Sequence, residues 1–237
     1  YVTQMGSTYN SYLIIDEKIT LIDTVKDYLF PEMLERISGI IDPSKIDYIV
    51  ANHVEMDHSG SIPKLLKIAK NAKVVTNPKG VSGLQKHFKD DMNFITVKNG
   101  EEFSIGENEL KFIFTPMVHW PDNMVTYLKD RKILFSNDSF GSHLASNERF
   151  DSEINLSLHL KEAKKYYANI VMCYSPQVRN ALKVLEGVEL EMICPSHGPS
   201  WKEHIPEILK YYKKWSSGEK DGNGVIVYDS MWKSTEK

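Results

Sequence analysis

The sequence has little cysteine, no long apolar run and no excess of charge of one sign. Its two cysteines, Cys173 and Cys194, are far apart and form no CxxC pair, so nothing requires a disulfide or a cysteine-rich zinc site. We expect both to be buried, reduced thiols in a cytoplasmic protein. No segment reaches the roughly 18 apolar residues of a membrane-spanning helix.

The charge balance also narrows the range of partners. Lys+Arg number 29 against 32 Asp+Glu, which gives a formal net charge of -3. No basic surface for nucleic acid or an anionic membrane is therefore expected. There is no internal repeat at solenoid period and no low-complexity segment.

The length and the first residues bear on domain organisation. The 237 residues, 41% of them apolar, are enough for one large domain or two small ones. The opening "YVTQMGSTYN" has no initiator Met, no basic segment and no apolar segment of a signal peptide, so we expect a piece of a longer chain.

The pattern of predicted elements favours a layered α/β fold. β-rich segments are followed by amphipathic helices twice along the chain, as in "KIDYIVANH" before "SIPKLLKIAKN" and "LEMICPSHG" before "IPEILKYYKKW". This order is consistent with an αββα sandwich, although periodicity alone does not separate it from other layered α/β folds. We assign residues 1–215 to this domain, the polar stretch 216–224 to a linker and 225–237 to the start of a second domain.

Four segments end an apolar strand with residues that commonly bind metal. They are "VANHVEMDH" with His53, Glu55, Asp57 and His58, "TPMVHWPD" with His119, "LFSNDSFG" with Asp138, and "CPSHGPS" with His197. Loops at strand ends can converge at one edge of a sheet. Four imidazoles and three carboxylates are too many for one tetrahedral ion, but they suit two ions about 3.5–4 Å apart that share a carboxylate. Asp138 suits the bridging position because it arrives alone on a separate strand.

Each of these residues also has a simpler interpretation. Taken alone, His119 or His197 would more often be a hydrogen-bonded core or surface histidine, and Asp138 a turn residue. Asp57 could cap a helix that begins near Ser61. The cluster in "HVEMDH" outweighs these alternatives, because burying four such groups together without metal is costly.

Two further histidines and one tryptophan are candidates for supporting roles. His143, just after Asp138, is placed to orient a ligand from outside the coordination sphere. His159 is expected to be structural. Trp120, which follows His119, would either wall the pocket or pack in the core.

The motifs HxExDH, "PMVHWPDNM", "LFSNDSFGSH" and "CPSHGP" resemble the metallo-β-lactamase-like domain of flavodiiron proteins, the A-type flavoproteins. The resemblance covers nearly the whole chain. It implies a metallo-β-lactamase-like αββα sandwich with two non-haem iron ions. By match of motif, the first iron is held by His53, Glu55 and His119, the second by Asp57, His58 and His197, with Asp138 bridging. In some members the histidine matching His58 swings away and water replaces it.

The resemblance gives Glu55 a specific meaning. Hydrolases of the same superfamily have HxHxDH, with histidine at the position of Glu55. A carboxylate in place of imidazole makes the site harder and more anionic, which favours iron over zinc. The family reduces O₂ to water, NO to N₂O, or both.

The last residues carry a second resemblance. "GVIVYDSMWKSTEK" is similar to the first strand and phosphate loop of a flavodoxin-like domain, here truncated. Ser230, Ser234 and Thr235 match its FMN-phosphate positions, although a terminal Ser/Thr cluster is more often a plain polar tail. The resemblance implies an electron donor such as rubredoxin or a reduced flavin system. It also implies a head-to-tail homodimer.

Two other classes of function remain open at this stage. A binuclear zinc hydrolase of the same superfamily would use a metal-bound hydroxide, with Asp57 managing its proton; Glu55 and the flavodoxin-like end argue against it. A redox-sensing domain would keep the ligands without turnover.

Overall fold

The first half of the chain forms a five-stranded sheet. The computed structural model describes residues 3–89, 91–219 and 222. Within them, the first sheet has the order β1-β2-β3-β4-β5, with β1 antiparallel to β2 and the other pairs parallel. Its strands are β1 (Tyr12–Ile14), β2 (Thr20–Ile22), β3 (Tyr48–Val50), β4 (Lys73–Thr76) and β5 (Phe94–Thr96).

The second half of the chain forms another five-stranded sheet, which is mostly antiparallel. The sheet runs β10-β9-β8-β7-β6, with the last pair along the chain, β9 and β10, parallel and the others antiparallel. Its strands are β6 (Glu102–Ser104), β7 (Glu109–Phe114), β8 (Met124–Leu128), β9 (Ile133–Asn137) and β10 (Met192–Pro195). Strands β7, β9 and β10 point the same way, so the loops that follow them leave one edge of the sheet.

The helices lie between and after the strands. They are α1 (Phe30–Ser38), α2 (Met56–Ser59), α3 (Ile62–Ile68), α4 (Pro78–His87), α5 (Leu156–Tyr166), α6 (Ser175–Leu185) and α7 (Ile205–Ser217). A π-helical stretch, Tyr167–Val171, continues α5. Short 3₁₀ turns occupy Asp27–Leu29, Pro43–Lys45, Lys129–Arg131, Asp151–Glu153 and Met172–Tyr174.

Local signals explain several of these boundaries. A proline occupies the first turn of α1, α3, α4, α6 and α7, where its missing N–H costs nothing. Asn77 caps α4 by accepting hydrogen bonds from two backbone N–H groups, and Asn155 caps α5. Gly218 ends α7 in the left-handed conformation.

The apolar side chains divide the molecule into four layers. On each strand, neighbouring residues belong to different clusters: Ile22, Val50 and Phe135 meet between the two sheets, while Leu21 and Ile49 face the helices of the first half. Leu134 faces the helices of the second half. This alternation follows from the two-residue period of a strand. The predicted metallo-β-lactamase-like αββα sandwich is therefore confirmed.

One prediction is wrong and two others concern the end of the chain. Cys173 is exposed, because it lies on the surface turn between α5 and α6, whereas Cys194 is buried between the sheets as expected. Helix α7 takes in Ser216 and Ser217, the first two residues of the predicted linker. Ser230, Ser234 and Thr235 lie outside the described residues, as does the predicted start of the second domain.

The helices of the described residues also bear on membrane association. None of them is long and apolar enough to cross a membrane.

Candidate metal centre

The seven predicted ligand residues come together at one edge of the two sheets. His53 and Glu55 follow β3, His119 follows β7, Asp138 directly follows β9, and His197 follows β10. Asp57 and His58 lie in the four-residue helix α2. Asp57 is thus not the cap of α3, which begins at Ile62.

The structure separates the seven residues into two groups. Ligand-type atoms of His53, Glu55, His119 and Asp138 all lie within 4.8 Å of one another, and so do those of Asp57, His58 and His197. In the first group, Glu55 Oε2 is 3.3 Å from His53 Nε2 and 3.2 Å from His119 Nε2. The Nε2 atoms of both histidines thus point at one small space.

Asp138 faces both groups with different oxygens. Its Oδ2 is 3.3 Å from His119 Nε2 and 3.8 Å from His53 Nε2. Its Oδ1 is 3.2 Å from His58 Nε2 and 3.3 Å from His197 Nε2. A carboxylate placed in this way has one oxygen for each of two adjacent ions.

Several buried atoms of this cluster lack hydrogen bonds. Among the described residues, the buried side-chain atoms without a partner include Asp57 Oδ1, Asp138 Oδ2 and both ring nitrogens of His58. Buried polar atoms are normally paired, and leaving them unpaired costs roughly 1–3 kcal/mol each. Metal coordination would satisfy Asp57 Oδ1, Asp138 Oδ2 and one nitrogen of His58. The residues therefore fit a binuclear metal site.

The pKa values of the two histidines in the first group reflect the carboxylates that lie beside them. Burial lowers the pKa of His53, but hydrogen bonds with Asp122 and Glu55 outweigh burial and raise the pKa to about 10. Burial likewise lowers the pKa of His119, while Asp138 and Glu55 raise it to about 9. Protons and metal ions therefore compete for the same nitrogens.

The carboxylates respond in the opposite direction. Burial raises the pKa of Asp138, but the imidazoles of His58, His119 and His197 hold it well below its usual range. Contacts with His119 and His53 lower the pKa of Glu55. Both carboxylates are thus anionic at neutral pH, as hard metal ligands must be.

Two histidines are oriented by hydrogen bonds from their outer nitrogens. His53 Nδ1 donates to Asp122 Oδ2 at 2.8 Å, and His197 Nδ1 donates to the backbone oxygen of Thr8 at 2.7 Å. Each bond fixes the tautomer that leaves Nε2 free for a metal. His58 Nδ1 has no such partner in the described part of the chain. Its ring is held by packing against the rings of His53 and His197.

Two supporting residues were not identified from the sequence. Asp122 sits in "WPDN", which has the composition of a turn, and Tyr166 lies on an amphipathic helix. In the structure, Asp122 also accepts from the backbone N–H of Val54 at 2.8 Å, and Tyr166 Oη donates to Asp138 Oδ1 at 2.7 Å. No local sequence signal marks either residue.

The loop after β9 is held in a special conformation. Phe140, two residues after Asp138, has a left-handed backbone with φ 66°. Its N–H donates to Tyr212 Oη at 2.6 Å, and its carbonyl oxygen accepts from Trp201 Nε1 at 2.8 Å. Both rings are buried. These two bonds fix the chain that carries Asp138.

The remaining candidates take different places. His143 packs beside Tyr166 and His197, with ring centroids 4.8 and 5.6 Å away, and its Nδ1 is 3.1 Å from Ser7 Oγ. His159 is buried and stacked on Trp201 at 3.9 Å, which is a structural position. Trp120 lies edge-on to His53 at 5.1 Å, so it both packs and walls the site.

Comparison with known proteins agrees with this geometry. Residues 8–198 match the family model described as "ODP family beta lactamase". A nitric oxide reductase of Moorella thermoacetica is 40% identical over 100% of this chain and 60% of its own length. The chain spans about 60% of the length of the curated relatives it matches.

Two solved structures share the fold closely. The rubredoxin oxygen:oxidoreductase of Desulfovibrio gigas has a TM-score of 0.96 and 41% identity, covering 99% of this chain and 60% of that one. The flavodiiron protein of Giardia intestinalis has a TM-score of 0.90 and 39% identity, covering 92% of this chain and 54% of that one. With a family model that spans most of its length and relatives of this similarity, the chain belongs to the flavodiiron proteins and contains their β-lactamase-like domain.

Proposed function

We propose that this chain is the diiron domain of a reductase that converts O₂ to water, NO to N₂O, or both, with electrons from FMN. The observation that carries the proposal is the position of Asp138 between two ligand groups, one of which includes the carboxylate of Glu55. Hydrolases with this motif have histidine at that position. The carboxylate favours iron over zinc.

The proposed roles of the ligands follow from the two groups. His53, Glu55 and His119 would hold one iron, and Asp57, His58 and His197 would hold the other. Asp138, which faces both groups, would be shared between them. Together Glu55, Asp57 and Asp138 carry three negative charges against the four of opposite sign on two ferrous ions, so the site keeps an affinity for one anionic ligand.

A diiron centre would supply two electrons at a time: two NO molecules need two to form N₂O and water, and O₂ needs a further two from the flavin to become water. The protein holds that centre in place: Asp122 keeps His53 oriented, and Tyr166 keeps Asp138 oriented through Oδ1. The side chain of Glu55 is 38% exposed and that of His119 14%, whereas the other imidazoles and Asp138 are almost fully buried. Asp57 is also 17% exposed, so the open face of the site includes the side chains of Glu55, Asp57 and His119.

The electron supply is a further part of the proposal. We assign the FMN phosphate to Ser230, Ser234 and Thr235, with rubredoxin or a reduced flavin system as donor. A head-to-tail homodimer in the cytoplasm would place the flavin of one subunit near the irons of its partner. Relatives named nitric oxide reductase, rubredoxin-oxygen oxidoreductase and anaerobic nitric oxide reductase flavorubredoxin support this direction of chemistry.

The experiment is metal analysis followed by anaerobic stopped-flow on the full-length protein. We expect about two irons per chain and rapid reoxidation of the reduced protein by O₂, by NO, or by both when each is offered separately. Residues 1–237 alone should bind iron yet turn over poorly, since they span about 60% of the length of the relatives named for these reactions.

Three outcomes would contradict the proposal. Stoichiometric zinc with thioester or phosphodiester turnover would identify a hydrolase. Full iron loading with no reoxidation by either gas would identify a sensing domain. Rapid turnover by residues 1–237 without an added flavodoxin-like domain would refute the assigned electron route.

A further inference from the structure

A small apolar cavity lies on the helix side of the second sheet. Its volume, for the centre of a water-sized sphere, is about 20 Å³. The side chains of Val178, Ala181, Leu182 and Leu185 on α6 line one side of it. The opposite side is formed by residues of the second sheet and its loops, with Tyr212 of α7 between them.

Most of the cavity lining is apolar, and the residues with hydroxyl groups in it are Thr115, Ser139 and Tyr212. The buried side-chain atoms without hydrogen-bond partners, in the part of the chain that the structure describes, belong to residues that do not line it. Tyr212 Oη already accepts from the N–H of Phe140. Apolar cavities large enough for one small molecule stay dry and bind apolar guests such as xenon. O₂ and NO are also small and nearly apolar, and both are smaller than xenon.

The cavity adjoins two of the metal-binding loops. Val118, which precedes His119, lines it, and so do Ser139 and Phe140, which follow Asp138. Two of the lining residues are thus sequence neighbours of His119 and Asp138, which belong to the first ligand group. The opening lies toward Ala181, which is half-buried, whereas Val178 is 2% exposed.

We propose that this cavity is a docking site for apolar diatomic gas, filled from the α6 surface and emptied toward the metal centre past Val118 and Phe140. The role in supply rests on the proposed function; the binding of an apolar gas does not.

The first test uses xenon as the probe on the full-length protein. Crystals pressurised with xenon should show one anomalous peak between α6 and the second sheet. Val178→Ile adds one methylene to the cavity wall and should lower xenon affinity by about fivefold or more, without lowering the melting temperature. The matched control is Val184→Ile, the same change at an exposed residue of the same helix. It should leave xenon binding unchanged.

The second test measures supply to the centre. In stopped-flow with the reduced, iron-loaded protein at limiting gas, Val178→Ile should lower the second-order rate constant for O₂ or NO by about threefold or more relative to Val184→Ile. The first-order rate constant at saturating gas should not change.

The outcomes are separable. Absence of xenon at this position, or equal xenon affinity in both variants, overturns the docking site. Xenon binding with unchanged second-order rate constants overturns the supply role. A wild-type protein that reacts with neither gas refutes the proposed function, while the xenon result still decides the docking site.

Discussion

The contact between Asp122 and His53 gives the sharpest test of how the site is held. Asp122→Asn is nearly isosteric, and the amide oxygen can still accept from His53 Nδ1 and from the backbone N–H of Val54, as Asp122 Oδ2 now does at 2.8 Å each. The substitution therefore removes the negative charge and leaves the two hydrogen bonds. His53 becomes a weaker base and a weaker metal ligand.

The expected loss can be bounded. Changes to partners that orient metal-binding histidines lower metal affinity by about 10–100-fold, and tenfold corresponds to about 1.4 kcal/mol. Because both hydrogen bonds survive, we expect the lower end, about tenfold. The loss should fall on the ion held by His53, Glu55 and His119. The group of Asp57, His58 and His197 does not contact Asp122 and should keep its affinity.

The assay is a titration of apoprotein with Fe²⁺ or Co²⁺ against a chelator, resolved into two binding steps. The matched control is Asp151→Asn, which alters a buried carboxylate that pairs with His204 Nδ1 at 3.1 Å outside the metal site. The control should change the affinity of either binding step by less than about twofold. Equal weakening of both steps by Asp122→Asn, or no weakening of either, would refute the reasoning.

Three further predictions concern the ligand set and its support. Glu55→His should shift metal preference from iron toward zinc and abolish gas reduction, as read from metal content and stopped-flow; unchanged iron and activity would contradict it. Tyr212→Phe leaves a buried backbone N–H unpaired and should lower the free energy of unfolding by about 1–3 kcal/mol in urea, while Tyr211→Phe, its exposed neighbour on α7, should change it by less than about 0.5 kcal/mol. Gly187→Ala places its Cβ where no atom lies within 4 Å, so it should lower the free energy of unfolding only through the left-handed backbone, by about 1–2 kcal/mol. Gly198→Ala also places its Cβ against the side chain and backbone of a serine and should lower it by about 1–3 kcal/mol more, measured by thermal or urea unfolding. Equal losses would show that the loop around Gly198 adjusts without strain.

The features that the sequence predicts well are those with a local signature. Consecutive apolar residues such as Leu21 and Ile22 mark a strand buried on both faces, and imidazoles or carboxylates after such strands mark a metal-binding edge. The seven ligand-type residues that the structure brings together follow strands in this way. Their assignment to particular ions stays a prediction.

The features that the sequence does not predict depend on distant contacts. Asp122 reaches His53 across 69 residues, and Tyr166 reaches Asp138 across 28. Neither residue type is unusual in its own segment. Cys173 was expected to be buried because free cysteine usually is, but the turn that carries it is set by how α5 and α6 pack.

The positions of the ligand residues along the chain determine when the metal site is completed during folding. His53, Glu55, Asp57 and His58 come from the first half of the chain, and His119, Asp138 and His197 from the second. The group of His53, Glu55, His119 and Asp138 needs β9, because Asp138 follows that strand. The group of Asp57, His58 and His197 is complete only after β10 has joined β9, because His197 follows the last strand. Metal is therefore chosen by a finished cavity rather than by an unfolded chain. A bound ion would tie the two halves together across as many as 139 residues of intervening chain, from Asp57 to His197. Loss of metal should therefore loosen the contact between the two sheets before it affects either sheet alone.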